Sequence, residues 1–425
     1  MTRGRATGFT RGQWSWAMAD WAREPFFSIV LSLIFPPYFV AVVAADPVRG
    51  TALWGYGLAA ASAALVVLSP FAGAAADSTG RRKPWIVGCV VVAVAALASL
   101  WLGTASAGNV VWVLASCAVA QLAIELSRVF TDSMVLQVAP RERVGDLSGL
   151  AVGLGFAASF LYVCGTLLFE GLDGRTVSAL SGAWLALFIL PLLLWCPDFP
   201  GEVRSWAESS RDSLARLRNS LRDLVRVPQV GRFLLARMVY WDGMMGLFSF
   251  IAILASSRLA WRASEISVFG LLGLVAGAAG GVGGGIFDRR HGSKRTLIAS
   301  LAIMLAVSII MLLELPPVVV RDAGAPLFAA SGDRMFLALA IVASACLGAI
   351  LASSRSMMVR LSPADRLGEF FGLYVMVGRA SSFAAPLLVA LATTAFGNQT
   401  TGVFSVALTF MALGLVLLGR VHDAR

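Results

Sequence analysis

Charged side chains are costly inside apolar stretches, so the acids and arginines that interrupt the apolar runs of this chain are the first candidates for chemistry. The first run opens Trp14-Ser-Trp16-Ala-Met-Ala-Asp20-Trp21-Ala22-Arg23-Glu24-Pro25-Phe26. On a helix Asp20 shares a face with Arg23 at i, i+3 and with Glu24 at i, i+4. At mid-membrane each charge would cost about 2.5–3.5 kcal/mol on insertion scales, so the three should face a wet cavity or one another. The competing reading leaves them snorkelling in an interface marked by Trp14 and Trp16. Tyr240-Trp241-Asp242-Gly243 weakens that alternative. Asp242 follows Gly231 by 11 residues, about 16 Å along a helix, which is close to a bilayer midplane. An acid there needs a partner or a proton. Arg379 lies about 18 Å into its own run, where a cation could pair with Asp242 or hold a substrate carboxylate. Arg237, one turn before Asp242, competes for that pairing. The chemistry within reach is proton exchange and the binding of ammonium or carboxylate groups.

A second charged set, Glu125, Arg128 and Asp132, forms one stripe at i, i+3 and i, i+7. It reads either as a salt-bridge network locking a gate or as part of a substrate contact. A third set lies between two apolar runs, Gly73-Ala-Ala-Ala-Asp77-Ser-Thr-Gly80-Arg81-Arg82-Lys83. Gly73 should let a neighbouring helix approach closely, Asp77 could accept hydrogen bonds from another helix's amino terminus, and Gly80 should permit a tight turn. Arg81, Arg82 and Lys83 suit a cytoplasmic loop. With Asp288, their counterpart later in the chain, these residues are expected to latch helix ends as a gate.

The elements that position these groups are apolar helices. Of 425 residues 58% are hydrophobic and only 14% charged, a balance that excludes a water-soluble domain of this length. Alternating strands are absent from the pattern, which argues against a barrel. Twelve spans fit, roughly 14–45, 52–72, 84–105, 109–134, 146–169, 176–196, 230–256, 264–286, 296–315, 334–358, 367–393 and 402–420. The expected fold is therefore an all-α membrane protein with twelve transmembrane helices in two pseudo-symmetric six-helix bundles, 1–196 and 230–425. Between them, 197–229 should be a cytoplasmic linker with an amphipathic helix, given Leu214, Leu217, Leu221 and Leu224 in helical spacing. A partner-binding helix is the alternative there. The basic clusters then fall on the side of both termini, which predicts cytoplasmic ends and a bacterial-type inner membrane. The first helix should be retained rather than cleaved as a signal peptide.

The formal charge of +10 follows from these loops and needs no nucleic acid. Cys89, Cys117, Cys164, Cys196 and Cys346 lack metal-ligand spacing, and His291 and His422 sit in segments expected on the cytoplasmic side. No catalytic set, metal site or cofactor site emerges, so an enzyme is the least expected class. Gly280 to Gly285 imitates a phosphate loop without its Lys-Ser/Thr, and close helix packing explains it better.

The halves repeat. Pro140-Arg-Glu-Arg143-Val-Gly145-Asp146-Leu-Ser-Gly149-Leu150 matches Pro363-Ala-Asp-Arg366-Leu-Gly368-Glu369-Phe-Phe-Gly372-Leu373 at every framework position. In the same register Asp77 aligns with Asp288 and Asp20 with Asp242. The spacing Gly-x3-Asp-x2-Gly-Arg-Arg-Lys resembles the loop between the second and third helices of the major facilitator superfamily. Asp20-Trp21-Ala22, Phe35-Pro36-Pro37-Tyr38-Phe39, Ser69-Pro70-Phe71-Ala72-Gly73 and Tyr240-Trp241-Asp242-Gly243 together resemble its vacuole-effluxer-like branch. That family opens Asp-Trp-Ala-Asn-Ser-Ala-Phe where this chain has Arg23-Glu24-Pro25, two charges more. The resemblance implies a secondary active transporter working by alternating access, coupled to protons and exporting a small polar or amphipathic solute such as an amino acid. A drug/proton antiporter, or a non-transporting scaffold recruiting partners through the linker, are the alternatives. Expected partners are the solute, protons and the bilayer, and a monomer suffices.

Overall fold

The computed structural model describes residues 8–102, 107–140, 143–169, 172–198, 227–316, 319, 326–363 and 367–422. The expected amphipathic helix over Leu214 to Leu224 lies outside the described residues, as does the linker apart from its ends. So does part of each repeated Pro-x-x-Arg loop.

Among the described residues, twelve helices are long and apolar enough to cross a membrane: Arg11–Val43, Pro47–Ala76, Lys83–Trp101, Val110–Ser133, Asp146–Leu168, Gly174–Trp195, Pro228–Leu259, Ala263–His291, Ser293–Glu314, Ser331–Leu361, Met376–Phe396 and Gln399–Gly419. They are the spans, first to twelfth, of an all-α membrane fold, and each overlaps its expected run. A membrane leaves no other way to satisfy backbone polar groups except a closed barrel.

The chain divides into two compact units, one formed by Met1–Leu31 with Ala64–Ala215, the other by Ser32–Ala63 with Arg216–Arg425. In the first unit the opening helix packs on the fifth and sixth spans, and the third on the fourth and sixth. In the second unit the eighth span packs on the tenth, the seventh on the twelfth, and the ninth on both the tenth and twelfth. The glycine run of the eighth span is a packing surface, as expected. A Cβ at Gly284 would lie 2.6 Å from the Cα of Ala349, and one at Gly280 would overlap the carbonyl of Ala345. Residues 32–63 are fastened to this unit by polar and steric contacts. Thr51 Oγ1 donates to Gln399 Oε1 at 2.9 Å, and a Cβ at Gly55 would meet Pro386 O at 2.7 Å.

The first span carries the unit boundary inside it. It is α-helical from Arg11 to Pro25, widens to π-helical winding over Phe26–Leu33, makes one α turn at Phe35–Tyr38, and widens again over Phe39–Val43. Pro25, Pro36 and Pro37 lack the N–H that α winding requires, which is a recognised cause of such departures. The carbonyl that Pro25 cannot serve is Trp21 O, and the indole Nε1 of Trp184 donates to it at 3.0 Å. A bend expected from Pro36-Pro37 alone is thus spread over two wide-wound stretches.

Candidate functional site

In the first unit, the first and fourth spans bring their charges together. Arg128 Nη2 lies 3.4 Å from Glu24 and 3.8 Å from Asp20, and Nη1 lies 3.8 Å from Glu125. One guanidinium therefore serves three carboxylates, none closer than 3.4 Å, and it rests over the ring of Phe27 at 4.8 Å. All four side chains keep partial exposure, between 16% and 26%. Gly155 of the fifth span leaves the space, since a Cβ there would press on Glu24 at 3.3 Å and touch Asp20 at 3.6 Å. The stripe Glu125, Arg128, Asp132 is therefore not self-contained, because Arg128 turns toward the acids of the first span. Asp132 is exposed at the stripe's end.

Arg23 departs from the face expected for it. It is fully buried and turned to the fourth span, with Nη2 donating to Thr131 Oγ1 at 2.5 Å and to Ser127 O at 3.3 Å. Its Nε and Nη1 are buried without hydrogen bonds. Residues i and i+4 on a helix lie closer in angle than i and i+3, so Glu24 stays with Asp20 while Arg23 rotates into the core. Trp16 Nε1 donates to Thr131 O at 2.8 Å and fixes the same seam.

The expected gate residues are dispersed. Gly73 is not a close-packing point, since a Cβ built there meets nothing within 4 Å. Gly80 adopts φ 68°, the left-handed turn expected of it. Asp77 lies in the helix, but its side chain is outside the described residues. Arg81 is exposed, and the backbone N–H groups of Arg82 and Lys83 donate to Asp198 at 3.0–3.2 Å. The acid that serves a helix amino terminus here is thus Asp198. Asp288 is buried, accepts from Ser293 Oγ at 2.8 Å, and pairs with Arg360 of the tenth span at 3.0 Å. Asp198, Ser293 and Arg360 escaped the sequence reading. Arg360, three residues before the repeated Pro363, was the one with a signal.

In the second unit, Asp242 sits midway along the seventh span and is 3% exposed. Its carboxylate faces Ser381 of the eleventh span and, beyond ion-pair distance, Arg237. Ser381 Oγ is buried and completes no hydrogen bond of ordinary geometry. Among the described residues Asp242 has no cation within 4.0 Å. Arg237, 6% exposed, is held elsewhere: Nη1 donates to Tyr374 O at 3.1 Å, and the guanidinium lies 3.7 Å over the Tyr374 ring and 5.2 Å from that of Trp241. Tyr240 reaches the tenth span, its hydroxyl 2.5 Å from Ser354 Oγ. Arg379 is half-buried at the end of the helix Leu367–Ala380, and the groups acting on Asp242 are Ser381 and Arg237 instead.

Residues 142–425, two thirds of the sequence, match the model of a family described as vacuole effluxer Atg22 like. The chain belongs to the Atg22-like family. An uncharacterized MFS-type transporter, YxiO of Bacillus subtilis, is 26% identical over 98% of this chain and 96% of its own length. Autophagy-related protein 22-1 of Aspergillus fumigatus is 24% identical over 69% of this chain, which spans about half the length of that fungal relative. Among solved structures, nucleoside transporter NupG (D323A mutant) aligns over 96% of this chain and 98% of its own, with TM-score 0.69 and 14% identity. The inward open xylose transporter XylE from E. coli aligns with TM-score 0.66 and 14% identity, over 97% and 96% of the two chains. Those identities establish the major facilitator fold alone. Together with the family, they make this Atg22-like chain a multi-pass membrane transporter and not an enzyme.

Proposed function

We propose that this Atg22-like protein is a secondary active exporter working by alternating access between two six-helix halves, with amino acids the leading solute class. The observation that carries the reading is the shared guanidinium of Arg128. Asp20, Glu24, Glu125 and Asp132 outnumber Arg128 and the buried Arg23 beside them, which leaves net negative charge inside a membrane unit, and such charge needs protons or a substrate cation to offset it. Asp242, Asp20 and Glu24 are assigned to proton exchange or to a substrate amine. Asp242 is the coupling acid of the second unit, and Arg237 or Arg379 receives a carboxylate or resets an acid. Asp77, Arg81, Arg82 and Asp288 are assigned to latching helix ends, with both termini cytoplasmic and the protein monomeric in the inner membrane. An organic cation would meet the same acids, supported by the aromatic face of Phe27 beside Arg128.

The test is counterflow of radiolabelled amino acids in proteoliposomes, with cationic dyes as competitors. Asp242→Asn and Glu24→Gln should abolish pH-driven accumulation in protein that still elutes as a folded species. Full transport by both variants would reject the assignment, and inhibition by dyes without amino-acid counterflow would transfer it to drug antiport. Asp77→Ala should shift cysteine-labelling accessibility between the two membrane sides; unchanged labelling would remove it from the gate.

A further inference from the structure

The eleventh span is interrupted where it meets Asp242. It is helical over Leu367–Ala380 and again over Ala384–Phe396, with a turn at residues 381–383 between them. The turn spends Arg379 O on both Ser382 N–H, at 3.2 Å, and Ser382 Oγ, at 2.8 Å, and spends Ser381 O on Ala384 N–H at 2.8 Å. Pro386 has no N–H, so Ser382 O lacks the helical donor four residues on. A helix that ends inside a span presents carbonyl oxygens and the negative pole of its dipole to its surroundings. Here the helix ending at Ala380 does so next to a buried carboxylate.

Two further facts point to a ligand. Asp242 is buried without an ion pair among the described residues, a state that requires a compensating positive charge or a proton. Ser381 is 8% exposed and acts on that carboxylate, yet its hydroxyl oxygen completes no hydrogen bond of ordinary geometry. A proton on Asp242 would settle the charge but leave the extra oxygens unused. A small hard cation uses carboxylate, hydroxyl and carbonyl oxygens together. One carboxylate supplies one charge, which suits a monovalent ion and leaves a divalent one under-neutralised.

We infer that Asp242, Ser381 and the interrupted backbone of the eleventh span form a binding site for a monovalent alkali cation of the sodium type. The inference rests on the reading of the chain as an ion-coupled transporter and adds sodium as the competitor of the proton at this acid. Arg237 supplies the alternation. Its guanidinium is parked on Tyr374 with Nε buried and unpaired, so it is the cation available to Asp242 when the ion leaves. Ion and arginine exclude each other at one carboxylate, which links release of the ion to movement of the seventh span against the eleventh.

The test is equilibrium binding of radioactive sodium to the purified full-length protein, with choline chloride keeping ionic strength constant. Elution profile and melting temperature in choline serve as the folding control. Wild type should bind sodium saturably, Asp242→Asn should not, and Ser381→Ala should weaken binding by roughly tenfold, the scale of one polar contact to a charged group. Ser381→Thr, which keeps the hydroxyl, should bind nearly as wild type does. Absence of saturable binding in wild type, or equal binding by Asp242→Asn, overturns the site. If Asp242→Asn does not fold, equal affinities of Ser381→Ala and Ser381→Thr overturn it instead. Solute counterflow that needs Asp242 while wild type binds no sodium rejects the sodium site and keeps the transporter reading. Sodium binding that depends on Asp242, without amino-acid counterflow, supports the site and removes the amino-acid reading.

Discussion

Replacing Gly284 with alanine tests the closest seam of the second unit. The new Cβ would lie 2.6 Å from both Cα and Cβ of Ala349, where ordinary contact begins at 3.4 Å, so the eighth and tenth spans must part by roughly 0.8 Å, the difference of the two. Both nearest atoms belong to Ala349, whose Cα is fixed in its helix, so no flexible side chain can yield in their place. Overpacking of this kind costs about 1–3 kcal/mol. Against it stands the helix-propensity gain of about 0.8–1 kcal/mol for glycine to alanine. Gly283 and Gly285 provide the internal control, because a Cβ at either meets nothing within 4 Å. Alanine at those sites should be neutral or mildly stabilising, so the gap between Gly284→Ala and the two controls is the full packing cost. At about 3 °C per kcal/mol for a unit of this size, the gap amounts to about 3–9 °C. Thermal denaturation in detergent, followed by loss of the monodisperse elution peak, reads it directly. Equal midpoints for all three variants would refute the packing role given to this glycine run.

Other consequences are equally concrete. Trp184→Phe removes the donor to Trp21 O together with part of the ring packing on Trp21 and Phe188, and should cost about 1 kcal/mol less in a Pro25→Ala background, where the restored N–H serves that carbonyl, by melting experiments; equal costs in both backgrounds would contradict the account of the first span. Asp173 caps the sixth span, its Oδ1 accepting from Thr176 N–H at 2.8 Å, and Asp173→Ala should destabilise by about 1 kcal/mol in the same melting assay. Burial pushes the Asp173 carboxyl up, but the Thr176 hydroxyl and N–H and the Arg175 guanidinium outweigh it and hold the group below its ordinary value. A folded-state value that is depressed gives stability above the ordinary carboxylate range, lost as pH falls through the lower folded value. The melting advantage of wild type over Asp173→Asn should therefore be constant at neutral pH and shrink below about pH 4; an advantage that grows on acidification would oppose this sign. Arg360→Ala leaves Asp288 with Ser293 alone among the described residues, and because the arginine is 42% exposed the loss should be modest, about 1 kcal/mol by melting.

Much of the fold was legible because the cost of leaving water is a sum along the chain. Twelve apolar runs announced twelve spans, and the glycine run of the eighth announced close packing before any neighbour was known. The candidate site was legible in part for the same reason. Asp20, Glu24, Glu125, Arg128 and Asp242 stand out where charge is expensive. Their partners were not legible. Helical spacing kept Arg128 on its own stripe, whereas the packed first and fourth spans hand it Asp20 and Glu24. Spacing placed Arg23 beside Asp20, whereas the fourth span draws it into the core through Thr131 and Ser127.

The sequence by itself determined how many times the chain can cross a bilayer, which charges lie within the crossings, and that its halves repeat, since each follows from composition and period along one dimension. Only the tertiary structure decided that Asp198 caps the third span, that Arg360 holds Asp288, that Trp184 serves the carbonyl freed by Pro25, and that Asp242 faces Ser381 across an interrupted helix. Those pairings depend on which faces of distant helices meet. That is fixed by where small residues allow close crossing, and no periodicity within a single span records it.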